Sequence, residues 1–205
     1  MSTLIRPYRP ADLDDLHDIC IRTGLVGRDA TGHLRDPDIL PVLFAAPYAE
    51  FDPGLVFVAD NGRRVIGYVV CAADSAAHYA ELRARWLPRY AERFPAPAGP
   101  PADLDEVFAD LLHHAERMLV PEIADDYPAH LHIDLLPEGQ RQGLGRRLMH
   151  TLFDALRERG VPGVHLNMSR ENTDAAAFYD RIGFTELPLT EDRDDSIACL
   201  GYRLD

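Results

Sequence analysis

Lysine is absent from this chain: all 21 of its basic residues are arginine. A phosphate-binding loop of the Walker type ends in a lysine, so that class of nucleotide site is excluded. Cysteine is scarce; Cys20, Cys71 and Cys199 are far apart and odd in number. Their spacing offers neither a metal-type pair nor a disulfide framework, and reduced thiols are the expectation. Positive charge is also short, with 34 acidic residues leaving a net −13. Phosphate backbones need a basic surface, so nucleic acid is not an expected partner, whereas a cationic amine suits this balance. No apolar run approaches the about 20 residues that a membrane-spanning helix requires. The opening MSTLIRPYRP lacks the apolar core of a secretion signal. A cytoplasmic protein that leaves the membrane alone is expected. Among nine histidines, His113-His114 and His130-x-His132 come nearest to ligand spacing, but no third ligand follows at a fixed offset, and no metal is expected.

What is present suffices for a full core. Hydrophobic residues make up 46% and charged residues 27% of 205, which fits one globular domain over 1–205. The most informative stretch is His130 to Arg147, HLHIDLLPEGQRQGLGRR. Leu131, Ile133 and Leu135 alternate with His130, His132 and Asp134, the period of a pleated strand. Pro137, Glu138 and Gly139 end that strand. Gly143 and Gly145 then open a helix in which Leu144, Leu148, Leu152 and Leu156 recur at helical spacing. A strand, a glycine turn and a helix N-terminus form an anion cradle, because unpaired N–H groups and the helix dipole favour negative charge there. Arg141, Arg146 and Arg147 add positive charge around it. We read this turn as a pyrophosphate-binding loop. A dinucleotide fingerprint would need a third glycine where Leu148 stands.

In chain order, Leu4 to Tyr8 reads as a short strand, followed by a helix capped by Asp12 and ended by Gly24. The region Leu25 to Pro53 is broken by Gly27, Gly32, Pro37, Pro41 and Pro47, leaving room only for short helical pieces such as Asp38 to Ala46. Val56 to Ala59 and Val65 to Ala73 are strands joined through Asn61-Gly62. Between Asp74 and Ala129 the pattern predicts a helix around Ser75 to Trp86, a proline-rich connector and a second helix from Asp103 to Leu119. That second helix would bury Leu104, Val107, Phe108, Leu111, Leu112 and Leu119. After the cradle helix come a strand at Val164 to Met168 and a helix capped by Asn172 or Thr173, closed by Gly183 and Phe184. Thr185 to Pro188 and Ile197 to Leu204 can pair around the acidic loop Glu191 to Asp195.

The pattern Gln140-x-x-Gly143-x-Gly145, set between a strand and a helix, resembles the acyl-CoA loop of the GNAT superfamily of N-acetyltransferases. A second landmark, Asn172-x6-Tyr179-x3-Gly183-Phe184, resembles that superfamily's later Asn, Tyr and Gly-Phe, and the opening IRPYRPAD resembles its start. The likeness spans roughly Leu4 to Ala73 and His130 to Leu204. Arg85-Trp86-Leu87-Pro88 with Tyr90 and Phe94 is similar to a segment of the acetyltransferase-like domains attached to O-GlcNAcases. The resemblance implies an α/β (α+β) fold: a mixed central sheet of about seven strands flanked by helices, with residues 74–129 a helical insertion between the third and fourth strands. It also implies acetyl-CoA as co-substrate and a small-molecule or peptide amine as acceptor. A homodimer is left open.

On that resemblance, Gln140, Arg141, Gln142, Gly143, Leu144, Gly145 and Arg146 would hold the pyrophosphate. Backbone groups of Leu135 and Leu136, freed where the strand splays, would bind pantetheine and polarise the thioester. Preorganised donors of this kind contribute about 3 kcal/mol to a transition state. Tyr179 would protonate the leaving thiolate; it also lies on the apolar stripe of its helix and could simply be a core residue. Asn172 would contact pantetheine, cap its helix, or do both. Tyr48, Glu50 and Asp52 are acceptor-side candidates. A central strand covered by helices is normally apolar on both faces, so the polar face of His130, His132 and Asp134 is expected to line an opening. Asp134 is the first choice as general base or amine anchor and His132 the second; solvation of an amine, or pairing with nearby arginines, is the plainer alternative. A non-catalytic acetyl-CoA-binding or interaction domain is the rival reading.

Overall fold

The computed structural model describes residues 3–188 and 194–204. Its centre is a mixed seven-stranded sheet in the order β1-β2-β3-β4-β5-β7-β6. The strands are β1 (Leu4–Pro7), β2 (Val56–Asp60), β3 (Val65–Ala72), β4 (Ala129–Leu135), β5 (Gly163–Ser169), β6 (Thr185–Glu186) and β7 (Ile197–Arg203). Every neighbouring pair is antiparallel except β4 and β5, which run parallel. This is the expected mixed sheet. Of the predicted loop between β6 and β7, Glu191 to Arg193 lie outside the described residues.

Helices cover both faces. On one lie α1 (Leu13–Thr23), α2 (Ile39–Phe44) and α3 (Ala46–Phe51). On the other, α7 (Leu144–Glu158) packs across β1 to β4, burying Leu144, Leu148, Leu152 and Leu156, the four leucines that its periodicity picks out. Gly160 takes φ +69°, letting Val161 N–H reach back to the Leu156 carbonyl and close the helix. The helix α8 (Thr173–Ile182) ends the same way at Gly183, φ +104°, where Phe184 N–H bonds the Tyr179 carbonyl. Asp12 does not cap α1 as expected. Its carboxylate accepts two bonds of 2.7 Å from the Arg6 guanidinium and a third from Arg9 N–H, so it ties β1 to the turn before the helix.

The segment between β3 and β4 is ordered. Asp74 caps α4 (Ser75–Glu81), which continues through a wider π turn at Leu82–Trp86 into α5 (Leu87–Tyr90). The buried Trp86 ring donates its indole N–H to the Val42 carbonyl of α2, at 2.9 Å. The later helix, α6 (Leu104–His113), is shorter than predicted: His114 leaves helical geometry at φ −133°, ψ 40°, and Ala115–Met118 is a separate 3-10 turn. Leu104 and Val107 face solvent rather than core. Their turn is held by Arg35, paired with Asp103 and Asp105, while Ala109 and Leu112 are buried. No helix among the described residues is long and apolar enough to cross a membrane.

Candidate functional site

The site is created by a departure from sheet regularity. The β4–β5 ladder consists of two partners, Ala129↔Val164 and His130↔His165, after which β4 diverges while β5 goes on pairing with β7. On its other side β4 stays paired to β3 through Gly67↔Leu135. Antiparallel pairing alternates the direction of main-chain groups along a strand. Leu136 N–H bonds the Ile66 carbonyl at 2.9 Å, which assigns even-numbered residues to β3 and turns Ile133 and Leu135 toward the gap. Leu135 therefore turns its main chain toward the gap. Leu136 does not, because its N–H is spent inside the sheet and its side chain is fully buried. The Leu135 carbonyl itself accepts the Gln140 side-chain amide at 2.9 Å, bracing the loop against the strand end.

The turn that follows is exposed from Gln140 to Gly143. Arg141 and Gly143 adopt left-handed conformations, φ +58° and +74°, and Gly143 precedes the first residue of α7. The N–H groups of Gln142, Gly143, Leu144 and Gly145 carry no hydrogen bond among the described residues. Such a row of free donors at a helix start, with the dipole behind it, is an anion-binding surface. Arg141 and Arg146 have no carboxylate partner among the described residues, whereas Arg147 donates to the Thr3 carbonyl at 3.0 Å. The two glycines do different work. A side chain at Gly143 would meet nothing within 4 Å, so only its dihedral needs glycine; a Cβ at Gly145 would lie 3.0 Å from two ring atoms of Phe178 on α8. Gly145 thus brings the cradle against the helix bearing Tyr179, a packing role that the motif does not disclose.

Tyr179 is buried between Phe178 and Phe184, at centroid distances of 5.2 and 5.4 Å. Its hydroxyl makes no hydrogen bond among the described residues, yet it is not sealed from solvent. Burial, and then the charge of Asp134, push the phenol above its ordinary range, so it holds its proton at neutral pH. Asn172 caps α8 by accepting from Ala175 N–H at 3.1 Å.

The polar face of β4 is not an open lining along its length. His130 is buried under α3 and α4, with Nε2 2.7 Å from the Tyr48 hydroxyl and Nδ1 2.8 Å from Ser75 Oγ. His132 is half-buried; its Nε2 lies 3.0 Å from the same Tyr48 hydroxyl, and its ring meets Phe44 edge-on at 5.3 Å. Asp134, also half-buried, accepts from Tyr68 at 2.7 Å and lies 3.0 Å from the Thr23 hydroxyl, which also reaches the Ile19 carbonyl at 2.7 Å. Burial raises its carboxyl above the ordinary value, while those two hydroxyls oppose the shift. Burial lowers the His132 imidazole to about 4 and leaves it neutral at pH 7. None of these three residues pairs with an arginine among the described residues; hydroxyls from the covering helices and from β3 contact them instead, so only the His132–Asp134 end meets the gap. Tyr48, expected beside an acceptor, is an interior residue of this network, and Glu50 and Asp52 are ion-paired to Arg89 and Arg159. Thr23, Tyr68 and Ser75 escape a reading of the sequence because each sits more than fifty positions from its partner, except by the weak sign of a lone hydroxyl in an apolar run.

Cys20, Cys71 and Cys199 are free and buried. Burial raises the Cys20 and Cys71 thiols well above their ordinary range, which rules out a resting thiolate nucleophile at either. Two half-open cavities, of about 230 and 250 Å³, lie elsewhere among the described residues: one between β5, α8 and β7, the other beside Cys71 and His78 at the far end of β3. The cradle turn from Gln140 to Gly143 is exposed, and the residues of β4 at the gap are half-buried.

Known proteins resemble the chain at several levels. A family model described as the acetyltransferase (GNAT) family matches residues 97–184, which takes in the cradle, Tyr179 and the end of the insertion. The crystal structure of SsHAT is 49% identical with a TM-score of 0.94, each chain covering the other fully. The [ribosomal protein bS18]-alanine N-acetyltransferase of Escherichia coli (strain K12) is 35% identical over 85 residues, 38% of this chain and 57% of that protein. Protein O-GlcNAcase of Rattus norvegicus is 22% identical over 204 residues, 98% of this chain but 22% of its own length. The chain thus spans only part of either curated relative.

Proposed function

The chain belongs to the GNAT family of acetyltransferases, whose co-substrate is acetyl-CoA, and we propose that it acetylates a primary amine by direct attack within a ternary complex. The observation that carries this reading is the divergence of β4 from β5 immediately before a turn of unpaired N–H groups. The N–H groups of Gln142 to Gly145, with Arg141 and Arg146, hold the pyrophosphate. Pantetheine lies along the gap, where the main chain of Ile133 and Leu135 replaces the missing strand neighbour and polarises the thioester carbonyl. The amine attacks that carbonyl carbon, a C–N bond forms and the C–S bond breaks. Tyr179, protonated and without a hydroxyl partner among the described residues, supplies the thiolate's proton. Asp134 and His132 at the open end of the polar face are the groups available to the amine.

Acceptors are amines on small molecules or peptides; the Escherichia coli relative, named for alanine on a ribosomal protein, makes peptide α-amines the first class to try. Incubation with acetyl-CoA and a panel of such amines, following thiol release, tests the proposal. Turnover is expected for at least one amine, and Tyr179→Phe should lower kcat about 10- to 100-fold with little change in acetyl-CoA affinity. A domain that binds acetyl-CoA without turnover is the second reading, favoured by the two hydroxyls already engaging Asp134. It predicts a rise in Tm with CoA and no thiol release with any amine.

A further inference from the structure

Ser75, His130, Tyr48 and the half-buried His132, between α3, α4 and β4, are joined in a run of hydrogen bonds, and its direction can be worked out from its end. Ser75 Oγ lies 2.7 Å from the Pro128 carbonyl, which can only accept, so the hydroxyl proton goes there. Ser75 Oγ must then accept from His130 Nδ1, 2.8 Å away, which puts that ring's proton on Nδ1. His130 is deeply buried with no charged partner and stays neutral, so its Nε2 holds a lone pair and accepts from the Tyr48 hydroxyl at 2.7 Å. The single Tyr48 proton is now used. Its oxygen can only accept from His132 Nε2, at 3.0 Å. His132 is neutral, so the proton on Nε2 leaves a bare lone pair on Nδ1. That nitrogen has no hydrogen-bond partner among the described residues, and it is not sealed from solvent. It belongs to the strand segment just past the last β4–β5 partner.

We infer that His132 Nδ1 is the general base, and that Ser75, His130 and Tyr48 are positioning residues that hold its tautomer. This rests on the acetyltransferase reading of the site and chooses between its two base candidates. Asp134 is left as a second acceptor that orients the amine: its Oδ2 already takes the Tyr68 proton, and its Oδ1 lies 3.0 Å from Thr23 Oγ1, whose single proton is shared with the Ile19 carbonyl at 2.7 Å. In the step, the attacking amine loses one proton to His132 Nδ1 as the C–N bond forms. The thiolate released from the C–S bond takes the Tyr179 proton, and solvent returns a proton from imidazolium to phenolate. The Pro128 carbonyl has no proton to give, so the chain cannot run backwards. His132 keeps its Nε2 proton while it waits.

Nitrogen-15 NMR of histidine-labelled protein reads each tautomer without any turnover. Signals of an Nε2-protonated His132 and an Nδ1-protonated His130 are expected; a proton on Nδ1 of neutral His132 overturns the inference whether or not the protein is active. Kinetics provide the second arm. His132→Ala should lose about 100-fold in kcat and Tyr48→Phe about 10-fold, each with acetyl-CoA affinity unchanged by calorimetry. In the His132→Ala background Tyr48→Phe should cost nothing further, because its only route to the reaction is gone. Multiplying losses would overturn the positioning role, and full activity of His132→Ala would overturn the base. Ser75→Ala, which keeps every ring in place, repeats the test if Tyr48→Phe folds poorly. No turnover by the unaltered protein with any amine retires the acetyltransferase reading and the base with it, while the tautomer measurement still reports separately on the hydrogen-bond chain.

Discussion

At Gly143 the main chain takes φ +74° with open space around it, so an alanine there is strained without any clash. Gly143→Ala should lower stability by about 1 kcal/mol and weaken CoA binding, since the strain acts on the donors themselves. Calorimetry alongside urea midpoints checks this; unchanged affinity would mean that the turn conformation is dispensable. Gly145→Ala fails for another reason, the 3.0 Å approach to Phe178. A Phe178→Leu background should recover part of its loss, and no recovery would contradict the packing explanation. The Gly-x-Gly spacing was legible from the sequence, while the different physical demand at each glycine was not. One demand is a local dihedral. The other is made by a helix more than thirty residues later.

Among the elements, β4 carries the decisive irregularity. Its ladder to β5 stops at His130, so the Ile133 and Leu135 amides have no strand partner on that side. In hydrogen exchange these two amides are expected to exchange faster than those of His132 and Asp134, which face β3, and to slow when CoA is added. Equal protection of all four before CoA would contradict the splay. The alternation of Leu131, Ile133 and Leu135 made the strand readable, but a splay leaves no mark in one strand's own composition. In the insertion, periodicity located α4 and α6, yet α6 stops at His113 and leaves Val107 exposed. A stripe of apolar residues says that a helix has a face; which turns of it find a partner depends on where α2 lies.

At the scale of the molecule, the interior histidines couple folding to pH. Burial lowers His132 to about 4 and His78 to about 3, and moves His130 in the same direction. An unfolded chain takes up these protons near pH 6.5, whereas the folded one refuses them until the depressed values are reached. Stability is therefore full above about pH 6.5 and falls as pH drops toward 4, by up to roughly 1.4 kcal/mol per pH unit for each such histidine. Urea midpoints at pH 7.5 and 5.5 should differ clearly, and His78→Phe should narrow the difference; a flat profile would falsify the burial of these rings. The excess of acid leaves the cradle a positive island made by Arg141 and Arg146. CoA affinity should accordingly fall as salt is raised from 0.05 to 0.5 M, roughly the range over which exposed charges become screened. Affinity independent of salt would remove those arginines from the anion site.

The sequence by itself determined the order of strands and helices, the glycine turn before α7 and the ends of α7 and α8. These depend on neighbours a few residues apart, through alternation, helical period and the dihedral freedom of glycine. The absence of lysine excluded a Walker loop, and the resemblance of two motifs to the GNAT superfamily implied an acyl-CoA. Only the tertiary structure decided which main-chain groups are left without a strand, that Asp12 serves Arg6 instead of its helix, and that both nitrogens of His130 are engaged while one of His132 has no partner among the described residues. Those outcomes depend on hydroxyls and carbonyls brought together from distant positions, such as Tyr48 beside His132, and no local pattern encodes such a meeting.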